Sequence, residues 1–274
     1  MRVSVGQFAA SVDKERNRQR VAGLVRAGAD AGASLVVLPE AAMYPFTPGG
    51  SDLSAAAEPV DGPFGATLAR VAEETGATVV AGMFEAVPGE GRVFNTVLAV
   101  GPGGLIGRYR KLHLFDALGW RESDWVRPAP LDAAAPAAAL LTFPHGELTV
   151  GVLTCYDLRF PELSRALVDA GATLLAVPSA WVAGPLKETH WRTLVTARAI
   201  ENTCYVAAAD QAPREYAGCS LLVDPMGVPL AALGETEGLA TAEVTAERVE
   251  AVRKALPVLE HRRYDVVARA DPAE

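Results

Sequence analysis

DAGASLVVLPEA, residues 30–41, returns 139 residues later as DAGATLLAVPSA, residues 169–180. Each copy reads as a helix end, a glycine stop, a continuous apolar strand and a proline. Glycine after a helical run is a common C-terminal signal, and an unbroken run such as SLVVL suits a strand covered on both faces. A period this long marks a duplicated half rather than a short solenoid repeat.

The pattern extends outward from both copies. Before the first, Arg2 to Phe8 alternates like a strand, and Asp13 to Ala31 reads as a helix opened by an Asp cap. After it, Pro63 to Gly76 reads as a helix and ATVVAGMF (77–84) as a buried strand. The order β-α-β-α-β then recurs: LTVGVLTC (148–155), FPELSRALVDAG (160–171), TLLAVPSA (173–180), Lys187 to Asn202, and CYVAAAD (204–210). Hairpin signals at NTVLAVGPGGLIGRYR (95–110) and SLLVDPMGVPLAAL (220–233) add antiparallel pairs to each half. Ala133 to Leu140 reads as the connection between halves, and the stretch from Leu256 onward lacks sustained periodicity. This α/β alternation fits two sheets packed face to face or one doubly wound sheet.

The 274 residues are half hydrophobic and 21% charged, enough for a large core in a single domain spanning 1–274. A net charge of −8 and a pI near 5.2 argue against nucleic-acid and anionic-membrane partners, which recruit clustered Lys and Arg. Three widely spaced cysteines, Cys155, Cys204 and Cys219, suit neither a disulfide framework nor a metal site, so a cytoplasmic setting is expected. No window has the length of a membrane span, and the N-terminus does not read as an export signal.

Functional groups in open α/β sheets gather beyond the carboxyl ends of strands. Three residues stand there: Glu40, Lys111 and Cys155. A lone cysteine is ordinarily a small buried hydrophobe, and Cys204 and Cys219 read that way. Cys155 differs because the turn that follows it, YDLRFP, would set its sulfur near helix N–H groups that lower a thiol pKa. Glu40, if buried, would hold its proton more tightly and serve as a base. None of His113, His145, His190 and His261 closes a strand in the manner of Glu40.

LPE around Glu40, RKLHLFD around Lys111, CYDLRFPE from Cys155, PSAW at 178–181 and HWRTLVTARAIEN from His190 together resemble the nitrilase superfamily of carbon–nitrogen hydrolases. The resemblance runs from the first strand to RRYDV (262–266) and is closest to the branch of ω-amidases and deaminated-glutathione amidases. It implies a four-layer α-β-β-α sandwich of two mixed sheets carrying a Glu-Lys-Cys triad. Glu40 would be the proton acceptor, Lys111 the cation at the oxyanion, and Cys155 the nucleophile. Glu122, in GWRESDWV, would hold Lys111, and the Tyr156 N–H would join the oxyanion site. Tyr44, Ala180 and Trp181 are expected to wall the pocket, and Arg159 to brace its turn against Asp157 or Glu162.

The chemistry so implied is cleavage of a small, carboxylate-bearing amide to acid and ammonia through a cysteinyl thioester, with no metal or organic cofactor. The same triad could serve a nitrilase or an acyltransferase, and a non-catalytic protein could keep the fold. A homodimer or higher even oligomer is expected, with the 256–274 tail either at the subunit interface or frayed.

Overall fold

The computed structural model describes residues 1–46, 53–212 and 215–269. The first half runs β1 (Arg2–Gln7), α1 (Lys14–Asp30), β2 (Ala33–Val37), the single turn α2 (Leu53–Ala56), α3 (Pro63–Thr75), β3 (Thr78–Glu85), β4 (Val93–Gly101) and β5 (Gly104–Arg110). A small hairpin, β6 (Asp116–Ala117) and β7 (Trp120–Arg121), and β8 (Val126–Arg127) follow. The second half runs β9 (Leu141–His145), β10 (Leu148–Val152), α4 (Pro161–Asp169), β11 (Leu174–Pro178), α5 (Lys187–Asn202), β12 (Tyr205–Ala209), β13 (Leu221–Val223) and β14 (Pro229–Ala232). It closes with β15 (Gly238–Glu243) and α6 (Ala246–Ala255).

The strands form two large mixed sheets, ordered β15-β1-β2-β3-β4-β5, with β8 beside β4, and β14-β13-β12-β11-β10-β9. Within each, three central strands are parallel and the flanking pairs antiparallel, apart from the short β8, which pairs parallel with β4. The order of one sheet matches the other: β1, β2 and β3 occupy the places of β10, β11 and β12. The fold is therefore the two-sheet arrangement and not the single doubly wound sheet.

Burial explains why β2 is apolar throughout. Leu35 and Val37 pack inward with Val150, Val152, Leu174 and Ala176 of the second sheet. Val36, between them, faces outward onto Val21 and Val25 of α1 and Leu68 and Val71 of α3. On the far side, Leu163 and Leu167 of α4 and Trp191 and Val195 of α5 cover the second sheet. The four layers thus follow from strand alternation between two buried faces.

Several elements escape the periodicity of the sequence, β15 and α6 among them. β15 pairs antiparallel with β1 from Arg2↔Glu243 to Gln7↔Gly238 and completes the first sheet with a strand from the far end of the chain. Its residues are half-buried, so GLATAE carries little apolar signal. In the second half, β10 stops at Val152, three residues before the strand end read from the sequence. Among the described residues, no helix is long and apolar enough to cross a membrane.

Candidate active site

Glu40 leaves the end of β2 through Leu38 and Pro39 and is fully buried. Its Oε1 accepts hydrogen bonds from Lys111 Nζ at 2.9 Å and Asn95 Nδ2 at 2.7 Å, and its Oε2 accepts the Ala180 N–H at 2.8 Å. β3 crosses directly behind it: a Cβ on Gly82 would lie 2.6 Å from Glu40 Cα and 2.7 Å from Ala41 N. Gly82 is what lets the strand and the carboxylate-bearing turn approach so closely.

Lys111 follows β5, and its own N–H donates to Asn95 O. Its ammonium also reaches Glu122 Oε2 at 2.8 Å and Oε1 at 3.2 Å. Asn95 Nδ2 donates to Glu122 Oε1 at 3.0 Å, and the Phe115 N–H to Glu122 Oε2 at 2.7 Å. One ammonium therefore lies between two buried carboxylates, with Asn95 bridging the same pair. Burial opposes the charge of Lys111, but Glu122, Glu40 and the Cys155 sulfur outweigh it and hold the lysine protonated. Burial, with Glu40 nearby, pushes the Glu122 carboxyl up despite Lys111.

Cys155 begins a 3-10 turn, Cys155–Arg159, rather than ending a strand, and its φ of 48° lies in the left-handed region. Such a backbone persists only where its surroundings enforce it. Asp157 supplies that enforcement: Oδ2 accepts the Tyr109 hydroxyl at 2.7 Å and the Thr154 N–H at 3.1 Å, while Oδ1 contacts the His113 ring at 2.7 Å and accepts its backbone N–H at 3.1 Å. Thr154 Oγ1 donates to Pro178 O at 2.7 Å and ties the turn to β11. Burial and the Glu40 charge push the Cys155 thiol well up, while Lys111 and the Ala180 N–H pull it down by less. The thiol-lowering environment expected from the turn is thus overturned. At rest the sulfur keeps its proton, within hydrogen-bonding reach of Glu40.

These groups meet at the floor of a cavity of about 650 Å³. Tyr156, Ala180 and Trp181 line it, and Trp181 is fixed from behind, its N–H donating to Asp210 Oδ1 at 2.7 Å and its Nε1 to Lys187 O at 2.9 Å. Tyr44 is not among the lining residues. It packs in the outer core of the first sheet, and Phe46, two residues on, lines the cavity in its place. Arg159 also departs from expectation. Among the described residues it pairs with neither Asp157, whose oxygens are taken by Tyr109, His113 and Thr154, nor Glu162; its guanidinium lies 4.7 Å over the Trp181 ring and faces the cavity. Cys204 and Cys219 are buried away from the site.

Asn95, Asp210, Gln211 and Lys187 were not singled out by the sequence. Gln211 Nε2 donates to Glu40 O at 2.8 Å and so holds the carboxylate turn from the second half. The usable signal for Asn95 was its polarity inside the apolar strand VFNTVLAVG. Pro213 and Arg214, in the loop before GCS, lie outside the described residues.

A family profile for carbon–nitrogen hydrolases matches residues 2–254. A deaminated glutathione amidase of Escherichia coli O157:H7 is 42% identical over 96% of this chain and 98% of its own length. An omega-amidase of Xenopus tropicalis is 33% identical over 97% of this chain and 96% of its own. A CN-hydrolase superfamily protein from Xanthomonas campestris superposes with a TM-score of 0.85 at 27% identity, covering 98% of this chain and 99% of that one. Its structure was solved with an arsenic adduct in the active site. With the duplicated sandwich and a buried Glu-Lys-Cys cluster in place, the chain belongs to the carbon–nitrogen hydrolase family of the nitrilase superfamily.

Proposed function

We propose that this chain is a thiol amidase that cleaves the C–N bond of a small carboxylate-bearing amide, with Cys155 as nucleophile. The observation that carries the reading is the shared position of Glu40, which binds Lys111, Asn95 and the Ala180 N–H and stands within reach of the thiol. Glu40 takes the thiol proton as Sγ attacks the amide carbon. The resulting oxyanion is met by the Lys111 ammonium and the Tyr156 N–H, donors set before the charge develops. Glu40 returns the proton to the leaving nitrogen, the C–N bond breaks, and ammonia departs from a thioester. Glu40 then deprotonates water, whose attack on the thioester carbon releases the acid, and the sulfur regains its proton. Glu122 keeps Lys111 charged and aimed throughout.

Each step uses groups of the chain itself, so no cofactor is required. Deaminated glutathione and 2-oxoglutaramate, suggested by the relatives' names, head the substrate panel. The test is ammonia release from small amides and matched nitriles by the wild type and by Cys155→Ala. Amide hydrolysis that vanishes in the variant supports the reading; full activity in pure Cys155→Ala protein sinks it.

Three free cysteines fit a reducing, cytoplasmic setting. We further propose a homodimer in which the tail beyond α6 helps form the interface. Tyr264 and Val267 there are 90% and 81% exposed, which leaves apolar surface for a second copy to cover. Sedimentation at the monomer mass would overturn this.

A further inference from the structure

Asp210 follows β12, is fully buried, and stands outside the steps assigned to Glu40, Lys111 and Cys155. Its Oδ1 accepts two backbone N–H groups, those of Trp181 at 2.7 Å and Gln211 at 2.9 Å. Its Oδ2 is sealed from solvent and has no hydrogen-bond partner among the described residues. Ser179 is its neighbour across the strands. β11 and β12 pair parallel as far as Pro178↔Ala209, and the ladder continues as the Ser179 N–H donates to Ala209 O and the Gln211 N–H to Ser179 O. Side chains opposed in this way leave the same face of a sheet. The Ser179 hydroxyl is likewise fully buried and unpartnered.

Two orphaned oxygens on opposed residues call for one explanation. A carboxylate does not supply it. An ionised Asp210 would be a buried charge with no ion pair and with one oxygen lacking any donor, an arrangement that folded chains avoid. A carboxylic acid instead carries a hydroxyl on Oδ2, for which Ser179 Oγ is an acceptor. The surroundings favour the acid: burial holds the proton on Asp210 and Glu40 adds to it, against the N–H groups of Trp181, Gln211 and Gly218. Lys187 of α5 and Tyr216 also face Asp210, and among the described residues neither is bonded to it.

The place of this acid gives its proton a use. Ala180 and Trp181 present successive N–H groups, the first to Glu40 Oε2 at 2.8 Å and the second to Asp210 Oδ1. Gln211, next to Asp210, donates its side chain to Glu40 O at 2.8 Å. The ends of β11 and β12 thus form one clasp that grips both carboxyl groups. Two like charges so placed repel, and in such pairs one carboxyl keeps its proton.

We propose that Asp210 is a positioning residue that works as a neutral acid, its Oδ2 hydroxyl donating to Ser179 Oγ, so that the clasp holds Glu40 without setting a second negative charge beside it. The role rests on the thiol amidase reading above, in which Glu40 takes the thiol proton.

The protonation state is read in the whole protein without substrate. At neutral pH the infrared difference spectrum of wild type against Asp210→Asn should contain the carbonyl stretch of a protonated carboxyl, and Ser179→Ala should shift that band. A difference spectrum with carboxylate bands alone overturns the proposal, and a band that Ser179→Ala leaves in place overturns Ser179 as the acceptor. Kinetics on 2-oxoglutaramate test the role. Asp210→Ala should lower kcat about 10-fold or more with KM little changed. Asp210→Asn, whose amide N–H stands in for the hydroxyl, should recover most of that loss. An Asn variant as slow as the Ala variant, or an effect carried by KM, overturns the positioning role; if Asp210→Ala does not fold, Asp210→Ser replaces it in the comparison. A wild type that hydrolyses no amide sinks the amidase reading, and the infrared band then decides by itself whether Asp210 is the neutral acid.

Discussion

The Glu40 carboxylate accepts the backbone N–H of Ala180 at 2.8 Å, and the two belong to corresponding turns of the duplicated halves. In the first half the position after LP carries glutamate; in the second, the position after VP carries Ser179. The repeat supplies the same strand-to-turn geometry twice. In one copy it presents a carboxylate, and in the other a backbone donor that holds it.

Asn95→Ala should slow the reaction more than it weakens the fold. Its amide donates to both Glu40 and Glu122, so its loss leaves each carboxylate one donor short and pushes the Glu122 carboxyl, already raised by burial, further up. The acid limb of kcat/KM is therefore expected to move to higher pH, with a fall of about 10- to 100-fold in kcat/KM at neutral pH. A lowered Tm with an unmoved limb would mean a purely structural role.

Gly82→Ala should be disproportionately harmful for a one-carbon change. The new Cβ would meet backbone of Glu40 and Ala41 under 3 Å away, where no flexible side chain can yield. We expect about 1–3 kcal/mol of destabilisation and, in folded protein, a large loss of kcat as the base shifts. Thermal melts and ammonia release on the same preparation separate the two effects.

Asp157→Ala should loosen the nucleophile turn. It strands the Tyr109 hydroxyl, the His113 ring and two backbone N–H groups, at a cost of about 3 kcal/mol or more. Faster alkylation of Cys155 by iodoacetamide alongside a lower Tm is the expected outcome. An unchanged alkylation rate would show that other contacts hold the sulfur.

Glu85→Gln should flatten part of the acid limb of stability. Burial works against the Glu85 charge, but hydrogen bonds from Arg110 and Thr96, with Arg108 adjacent, hold its carboxyl below the ordinary value. Near pH 4 the folded state thus binds fewer protons than the unfolded chain, so stability rises with pH through that range and falls as pH drops through the folded pKa. At pH 7 the variant should melt roughly 2–4 °C lower, the shift of about 1 kcal/mol in a chain of this size. The gap should close below the usual carboxylate range, as melts at pH 7 and pH 3.5 would show.

What was legible in the sequence was whatever left a local mark. The helices and the parallel strands of both halves announce themselves through buried runs, glycine stops and proline starts; Lys187–Asn202 matches its helix residue for residue. Glu40, Lys111 and Cys155 were legible because strand ends and ordered motifs flagged them. β15 was not, since a half-buried edge strand has no continuous apolar run and its partner β1 lies more than 200 residues away. Tyr44 and Arg159 were misplaced because a position near a strand end does not fix which way a side chain turns. Asn95 and Lys187 gain their meaning from groups brought to them by other strands and loops, which no local pattern records.

Glu40, Lys111 and Glu122 arise before the Ala133 to Leu140 connection, and Cys155 and Ala180 after it. The reactive centre is consequently a seam between two copies of one ancestral motif, and neither copy holds more than part of the chemistry. A nascent chain released with only its first half folded carries a base and a cation but no sulfur. A misfolded second half carries a thiol without its glutamate. On the proposed mechanism, reactivity toward amides arrives only with closure of the sandwich, which would make turnover itself a stringent reporter of complete folding.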